Sequence, residues 1–516
     1  MKKTLLLIAV IFAFNSCNNL NLVPLDRVSS ANFYKTAADF DGAIFASYSS
    51  IQDLWGTSTE TLGELGEYWK ISVVTSDDVE TDPNNAWDGI SQSIDQLILR
   101  ASDNPFAAAY TQIYEGIMRA NLVIENVNGD NELTSGEKEM FEAEARFLRA
   151  FFHFEAMKLW GTPPLLTKNY ESLSDLSVKN ATQDELFTQI LSDFNFAYQK
   201  LPPAWDGGNT GRATKWAARA FEGKVNVWKK DWPKAITAFE DVINSGRYSL
   251  IDTGNPVEDF DAVFAYDNEN NSESIFEIQF GGPYSDDNIW VFDDTHSEAF
   301  KASQGIARSW YWDAANAPGG KMGWWAPTQD LVDAFEPGDA RLEVSIYKDG
   351  DVYYYLGYDP ANPLMYDPTW SSTGYTVKKY SGARNSVSSD RSPNEQSDFN
   401  NERIFRYAEL KLLYAEALIE NNSNLGVALQ QINDIRNRAG LSNLAIPLDQ
   451  ASLTAAMRQE KRVELAFEPH RWFDITRWDI GSTVFGATWN AKYKVYPFPQ
   501  TEIDRTGAQL NQNTGY

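Results

Sequence analysis

Apolar residues recur every three or four positions over much of this 516-residue chain, which is the spacing of helices with one buried face. The first such face is formed by Phe40, Ile44, Tyr48 and Ile51. Further helices are predicted over 105–127, 134–160 and 182–202. The last two begin with capping boxes, Thr134 to Glu137 and Thr182 to Glu185, which satisfy free backbone N–H groups at a helix start.

A helical hairpin is predicted over 213–246, with a Lys-Lys-Asp turn between its helices and Pro233 in the first turn of the second. Small residues lie where the two helices must approach closely: Ala217, Gly223, Ala235 and Ala238. The length and pattern are typical of one tetratricopeptide repeat, and 406–438 is a looser copy. Each unit leaves an apolar face that only a neighbour covers, so several units must stack. The helices 105–127 and 134–160 would supply another pair.

The stretch between these helical blocks, 248–400, has a different character. It is rich in Gly, Pro, Asn, Asp and aromatic residues, and it contains two short strand candidates, 274–280 and 341–347. The predicted fold is therefore mainly α, a tetratricopeptide-like helical scaffold that carries one long, irregular, aromatic-rich insertion with short strands. Binding residues concentrate on such loops when a rigid scaffold holds them.

Charge limits the classes of ligand. The chain has 72 acidic and 44 basic residues, which gives a net charge of −28. Nucleic acids and anionic lipid surfaces bind through Lys and Arg, so neither is an expected partner. A polyanionic ligand is disfavoured for the same reason.

Motifs for metal binding, nucleotide binding or a serine nucleophile are missing from the sequence. It has three His and no HExxH, GxSxG, Walker or GxGxxG motif. Acidic pairs such as Asp293 and Asp294 are more typical of solvated surface than of a calcium site. No cofactor and no metal site is therefore predicted.

The N-terminus is typical of an exported protein. Lys2 and Lys3 precede the apolar run 4–14, and the single Cys of the chain, Cys17, follows Ser16. This pattern predicts a signal peptide over 1–16, since the run is shorter than the roughly 20 residues that span a membrane. It also resembles the lipobox of bacterial lipoproteins, in which the Cys becomes lipidated, and 17–24 then forms a tether.

Aromatic residues separate into two groups by position. Five of the 17 Trp lie on or beside helical stripes and are predicted to be in the core: Trp160, Trp216, Trp228, Trp472 and Trp478. A second group lies in loop-type sequence: Trp87, Trp290, Trp310, Tyr311, Trp312, Trp324 and Trp325. Some of these rings are predicted to stack on sugar C–H faces, with Arg308 and Asp313 bonding hydroxyls, while burial is the alternative for each ring.

Two carboxylates occupy the apolar stripe of the helix predicted from Ser452. Glu460 and Glu464 lie one turn apart there, with Arg458, Arg462, Arg471 and Arg477 near in sequence. They form either a reactive pair or a buried ion-pair network. The network is favoured, because carboxylates on an apolar stripe beside arginines are held ionised and leave no room for a substrate.

Several motifs taken together resemble the SusD/RagB family of outer-membrane glycan-binding lipoproteins, over most of the chain. The motifs are GWWAPTQDLVDAFEPGDARL (323–342), RYAELKLLYAEAL (406–418), NDIRNRAGL (433–441), MRQEKRVELAFEPHRWFDITRW (457–478) and YPFPQTEIDRTGAQLNQNTGY (496–516). The run 504–507 departs slightly from the family's usual ending. The resemblance implies four tetratricopeptide-like units, a variable glycan-holding face and a partner, a SusC-like TonB-dependent outer-membrane transporter.

The function expected from sequence is non-catalytic binding of a neutral poly- or oligosaccharide at the cell surface. The protein would be held to the outer membrane by its lipid anchor alone, facing the exterior. The expected regions are a helical part over 25–247, a ligand-binding part over 248–400 and a helical part over 401–516, all in one compact unit. An extracellular glycoside hydrolase with paired carboxylates and a peptide-binding tetratricopeptide adaptor are the alternatives.

Overall fold

A computed structural model describes residues 33–56, 67–83, 89–169, 178–205, 207–280, 311–314, 316–318, 322–354, 361–379 and 400–516. Its helices are α1 Ala37–Trp55, α2 Glu67–Trp69, α3 Gly89–Asp95, α4 Asn104–Val127, α5 Ser135–Trp160, α6 Gln183–Lys200, α7 Lys215–Lys229, α8 Trp232–Asn244, α9 Pro256–Phe264, α10 Gln329–Ala334, α11 Ala340–Ser345, α12 Tyr407–Glu420, α13 Leu425–Arg438, α14 Gln450–Glu464, α15 Arg471–Arg477, α16 Gly481–Phe485 and α17 Gln500–Arg505. A π-helical turn, Lys70–Val74, continues α2.

The helix starts follow the local rules seen in the sequence. Both predicted capping boxes form, and in each the Thr hydroxyl accepts from the Glu N–H while the Glu carboxylate accepts from the Thr N–H. At the start of α5 these two bonds are 3.3 and 2.8 Å long. Pro105 and Pro233 lie in the first turns of α4 and α8, where their missing N–H costs nothing.

The long helices stack in chain order. Successive packing partners are α1, α4, α5, α6, α7, α8, α12, α13 and α14. The pairs α7–α8 and α12–α13 match the two predicted repeat units, and α4 packs on α5 as predicted. Gly223 permits the close approach in the first unit, since a Cβ there would lie 2.5 Å from the Phe239 ring. The predicted mainly α, repeat-like scaffold is confirmed.

Four short antiparallel strand pairs form among the described residues; the first two join the insertion to the scaffold, and the last two lie within the insertion. They are β1 Val79–Thr81 with β3 Trp325–Pro327, β2 Ser274–Ile278 with β8 Glu402–Arg406, β4 Ile346–Tyr347 with β7 Thr376–Val377, and β5 Val352–Tyr353 with β6 Leu364–Met365. The strand predicted over 274–280 is confirmed by β2. One main core runs from Ile51 to Leu510 and includes residues of all three predicted regions.

The strand predicted over 341–347 is wrong for most of its length. This stretch forms α11, and only Ile346–Tyr347 is extended. The Asp339 carboxylate accepts from the Arg341 N–H at 3.0 Å and so caps the helix. This cap and the buried ion pairs of Arg341 outweigh the alternating apolar pattern that favoured a strand. No helix in the described ranges is long and apolar enough to cross a membrane.

Candidate functional site

Three of the rings predicted to hold a sugar lie in the core instead. Trp312 and Trp325 are 0% and 1% exposed, and Tyr311 is 3% exposed. Tyr311 stacks on Trp325 with ring centroids 4.5 Å apart, and Trp312 meets Trp325 edge to face at 5.4 Å. Rings buried this deeply present no face to a ligand, so the prediction that these three stack on a sugar is wrong.

Asp313 is likewise buried and is not a surface contact for hydroxyl groups. It is 3% exposed and lies beside a satellite core that contains Tyr347, Tyr353 and Tyr366. Burial raises the pKa of Tyr353, and the nearby negative charge of Asp313 raises it further. Asp313 therefore belongs to the interior of the insertion, which corrects its predicted role.

Trp324 is the ring of the predicted set that remains partly exposed among the described residues. Its backbone is fixed on both sides. The Trp324 N–H donates to the Tyr311 carbonyl at 3.0 Å, and the Asp82 N–H donates to the Trp324 carbonyl at 2.9 Å. The Tyr311 ring also packs against it at a tilt, with ring centroids 5.3 Å apart. Tyr311 and Trp324 thus meet Asp82, which is far from both in sequence, at one partly exposed indole.

The strand β1 supplies polar groups next to this indole. Its residues pair with β3, Thr81 opposite Trp325 and Glu80 opposite Ala326, and Glu80 is the member of β1 that faces solvent. Asp95 accepts from both the N–H and the hydroxyl of Thr81, at 3.0 and 2.8 Å. Burial and the negative charge of Asp95 raise the pKa of Glu80. We call this surface, formed by 80–82, 92–95 and Trp324, the platform junction.

Glu80, Gln92 and Asp95 of this surface were not predicted from the sequence. Gln92, on α3, donates to the Asp82 carbonyl at 3.1 Å, and this bond connects α3 to the end of β1. No local pattern identifies these residues, because their meeting depends on the pairing of two three-residue strands.

Four predicted glycan contacts, Trp87, Trp290, Trp310 and Arg308, lie outside the described residues, and so does the predicted lipidation site Cys17. Trp87 belongs to the segment 84–88, between Pro83 and Gly89, both of which are described. Trp310 directly precedes Tyr311. These contacts stay predictions.

The carboxylates of Glu460 and Glu464 form a buried ion-pair network. Glu464 is fully buried and accepts from Arg341 at 3.0 Å and from Arg406 and Arg438 at 2.5 Å each. Glu460 accepts from Arg341 at 2.6 Å and from Arg436 at 3.3 Å. Carboxylates enclosed by guanidinium groups in this way cannot flank a bond in an open cleft, so this pair is not a hydrolytic site.

The two carboxylates titrate differently. Burial favours the neutral form of Glu464, but the guanidinium groups of Arg438, Arg406 and Arg341 outweigh it and lower its pKa below the usual value. For Glu460 burial outweighs Arg341 and Arg436, so its pKa is raised. Glu464 is thus the carboxylate that the network holds ionised.

Three of the arginines predicted as partners of Glu460 and Glu464 bind other carboxylates, so that part of the prediction was wrong. Arg462 and Arg471 bind the acidic residues that precede β1, and Arg477 binds Glu416 and Asp474. Arg471 donates two hydrogen bonds to the Asp77 carboxylate, 2.8 and 2.7 Å long, and Arg462 donates one to the Asp78 carboxylate at 2.8 Å. Burial raises the pKa of Asp77, but the hydrogen bonds of Arg471 and the positive charges of both arginines outweigh it and lower that pKa. The arginines therefore clamp the start of β1, and with it the platform junction.

Removal of this clamp is expected to loosen the junction without unfolding the scaffold. In Arg471→Ala we expect faster hydrogen exchange at the amides of Asp82 and Thr328, which bond across β1 and β3. The loss of stability should be about 1–3 kcal/mol, the usual effect of a lost charged hydrogen bond.

Arg477→Ala is the matched control, because it removes ion pairs from the same helix that do not reach β1. It should leave exchange at Asp82 and Thr328 unchanged. Equal protection of these amides in both variants would contradict the clamp.

Within the described ranges, no group of three or more His, Cys, Asp or Glu side chains is placed to hold a metal ion. The platform junction brings together an indole ring, carboxylates and an amide.

The fold defines a class: a stack of helix pairs that carries inserted strands and loops. Comparison with known families agrees. Residues 262–495 match the SusD family, and residues 56–227 match a family described as starch-binding and associating with the outer membrane. The chain belongs to the SusD/RagB family.

Individual relatives extend over nearly the whole chain. SusD-like protein P2 of Formosa agariphila is 25% identical over 99% of this chain and 98% of its own length. A SusD-like protein from Bacteroides fragilis has a similar crystal structure, with a TM-score of 0.77, 25% identity and coverage of 96% of this chain and all of that one. A laminarin-binding SusD-like protein shares the fold at a TM-score of 0.76 and 23% identity, over 94% of this chain and all of that one.

Proposed function

We propose that this protein binds a neutral poly- or oligosaccharide at the platform junction without cleaving it. The observation that carries the proposal is Trp324, a partly exposed indole whose backbone is fixed by bonds to Tyr311 and Asp82. A sugar presents a C–H face that stacks on such a ring, and adjacent polar groups fix its hydroxyls by hydrogen bonds. The ring is held in place before the ligand arrives, so little conformational entropy is lost on binding.

The charge of the junction favours a neutral glycan. Glu80, Asp82 and Asp95 are carboxylates within one short surface, and the chain as a whole carries a charge of −28. A sulfated or uronate polymer would meet repulsion from both. The names of the relatives agree with a carbohydrate ligand, since one matched family is described as starch-binding and one structural neighbour as laminarin-binding.

The absence of cleavage rests on the position of the paired carboxylates. Glu460 and Glu464, which first invited a hydrolytic interpretation, are 2% and 0% exposed and bonded to guanidinium groups. Incubation with the bound glycan should therefore release no reducing ends. Release by the wild-type protein would favour the glycoside hydrolase alternative.

The proposal includes a place and a partner. Lipidation at Cys17 would tether the chain to the outer membrane, facing the exterior, where a SusC-like TonB-dependent transporter would receive the glycan. The matched family described as associating with the outer membrane agrees with this location. Co-purification of the full chain with such a transporter from solubilised outer membranes tests the partnership, and loss of membrane attachment in Cys17→Ala tests the anchor.

Trp324→Ala is expected to weaken glycan binding by roughly tenfold, which is the effect of losing one stacking ring. Calorimetry with laminarihexaose, maltohexaose, cellohexaose and xylohexaose measures the change on whichever glycan the wild-type protein binds. The melting temperature should stay close to that of wild type, because this ring is only partly buried.

Trp216→Ala serves as the matched control, since Trp216 is another partly exposed indole and lies on α7, away from the junction. It should leave affinity unchanged. If Trp324→Ala and Trp216→Ala bound equally well, the platform junction would not be the glycan site.

A further inference from the structure

A second cleft lies between the segment that joins α6 to α7 and the segment that leads into β2. It has a volume of about 280 Å³ and is lined by Trp205, Thr210, Arg247, Tyr248, Asn271 and Ser272, among others. A cavity of about 360 Å³ adjoins it, with Phe45, Gln52 and Gln279 in its wall. Gly211 and Arg212 line both spaces, so we call the two together the Arg212 cleft. It shares no residue with the platform junction.

Planar groups form a fixed ridge between the two spaces. The Arg212 guanidinium lies 4.7 Å from the Trp205 ring centroid and 5.3 Å from that of Phe45. Its Nε donates to the fully buried Glu144 at 2.9 Å, and its Nη1 lies 2.6 Å from Asp41. The Trp205 indole N–H donates to the Ala213 carbonyl at 2.8 Å, which fixes the ring. The ridge is therefore rigid without a ligand.

Gly211 leaves the space beside the ridge open because it has no side chain. Its φ of +93° is a conformation that other residues rarely adopt, and a Cβ there would overlap the Gln279 side chain. The two spaces therefore meet across bare backbone at this point. Together they have room for about two sugar rings, since each lies near the small end of known ligand sites.

The rim of the cleft presents polar groups that are free to bind. Arg247 and Ser272 are exposed, and no ion pair engages the Arg247 side chain within the part of the chain that the structure describes. An amide pair between Asn270 and Gln279, with bonds of 2.9 and 3.1 Å, stiffens the opposite edge. Guanidinium, hydroxyl and amide groups around a fixed indole are the set that recognises sugar hydroxyls together with a sugar face.

We infer that the Arg212 cleft is a second carbohydrate site, which takes a segment of about two sugar rings. A preformed aromatic ridge would stack the sugar, and Arg247 and Ser272 would bond its hydroxyls. Such a site would hold a second stretch of one long glycan, or a second chain, while the platform junction is occupied. The inference is independent of the proposed function, since it rests on different residues.

The test uses the full chain and saturation-transfer NMR with laminarihexaose, maltohexaose, cellohexaose and xylohexaose. Ser272→Tyr fills the cleft from an exposed position, and Arg247→Ala removes its free cation, so neither change disturbs the core. In the Trp324→Ala background, at least one hexaose should still show transfer, and Ser272→Tyr should reduce that signal by about tenfold. Lys234→Ala, an exposed change on α8, is the matched control and should have no effect.

The outcomes separate the two sites. A signal that Ser272→Tyr and Arg247→Ala both leave unchanged, in the wild-type and Trp324→Ala backgrounds alike, overturns the second site. A signal that depends on Ser272 and Arg247 but not on Trp324 supports the second site and contradicts the proposed function. Complete loss of transfer in Trp324→Ala alone assigns all binding to the platform junction and also overturns the second site.

Discussion

Glu464→Ala is expected to lose roughly 3–5 kcal/mol of folding stability, the effect of removing one partner from a buried ion pair. Three guanidinium groups, those of Arg341, Arg406 and Arg438, converge on this carboxylate, and the side chains of all four residues are at most 1% exposed. The variant leaves these positive charges in a dry core with one fewer counter-charge. Chemical denaturation at neutral pH measures the loss.

Glu464→Gln keeps the shape of the side chain and removes only the charge, so it is the matched control. If packing rather than charge held the helices together, Glu464→Gln would be as stable as wild type. A melting temperature for Glu464→Ala equal to that of wild type would contradict the network as a source of stability.

The pH dependence of this loss has a defined sign. Because the pKa of Glu464 is lower in the folded protein than in the unfolded chain, its stabilisation is present above the ordinary carboxyl pKa of about 4.3. It is lost as the pH falls through the folded value. The stability gap between wild type and Glu464→Gln should therefore narrow as the pH falls below about 4. Glu460 is present in both proteins, so the effect of its raised pKa on stability cancels to first order in this comparison.

Trp325→Ala is expected to cost roughly 3–5 kcal/mol, as large-to-small changes of buried aromatic residues do. The ring is 1% exposed, stacks on Tyr311 and meets Trp312 edge to face, and its backbone pairs with Thr81 in β1. Urea denaturation followed by far-UV circular dichroism measures the change. Trp325→Phe should recover part of the loss.

Trp324, the residue next to Trp325, provides the comparison that tests whether the two rings have different roles. Trp324→Ala should bind poorly and fold well, whereas the folded fraction of Trp325→Ala should still bind the glycan. If Trp325→Ala were as stable as wild type and failed to bind, Trp325 would be the contact residue and its burial would not describe the protein in solution.

The helical scaffold could be predicted because its signals are local. Capping boxes such as Thr134 to Glu137 and small residues such as Gly223 act within one helix or between neighbours in sequence. The core positions of Trp160 and Trp472 followed from the same periodicity, and both are buried. The platform junction depends instead on β1 and β3, which lie about 245 residues apart and have three residues each. No periodicity in so short a strand shows which of Trp324 and Trp325 faces solvent.

The partners of Glu464 could not be found by sequence distance for a geometric reason. Arg462 is two residues from both carboxylates on the same helix, and residues at this spacing point to different sides. It therefore reaches Asp77 and Asp78, while the network partners arrive from α11, β8 and α13. Arg341, Arg406 and Arg438 all lie within the motifs that revealed the family. The family motifs therefore contain the arginines that bind Glu464 and so connect the insertion to the helices.

The most direct test of the account is a crystal structure of the full chain with the tightest-binding hexaose of the panel. We predict an intact sugar chain with one ring stacked on the Trp324 indole, within about 4 Å, and hydroxyls bonded to Glu80, Asp82 or Gln92. A glycan found elsewhere on the molecule with Trp324 uncovered, or found cleaved, would contradict it.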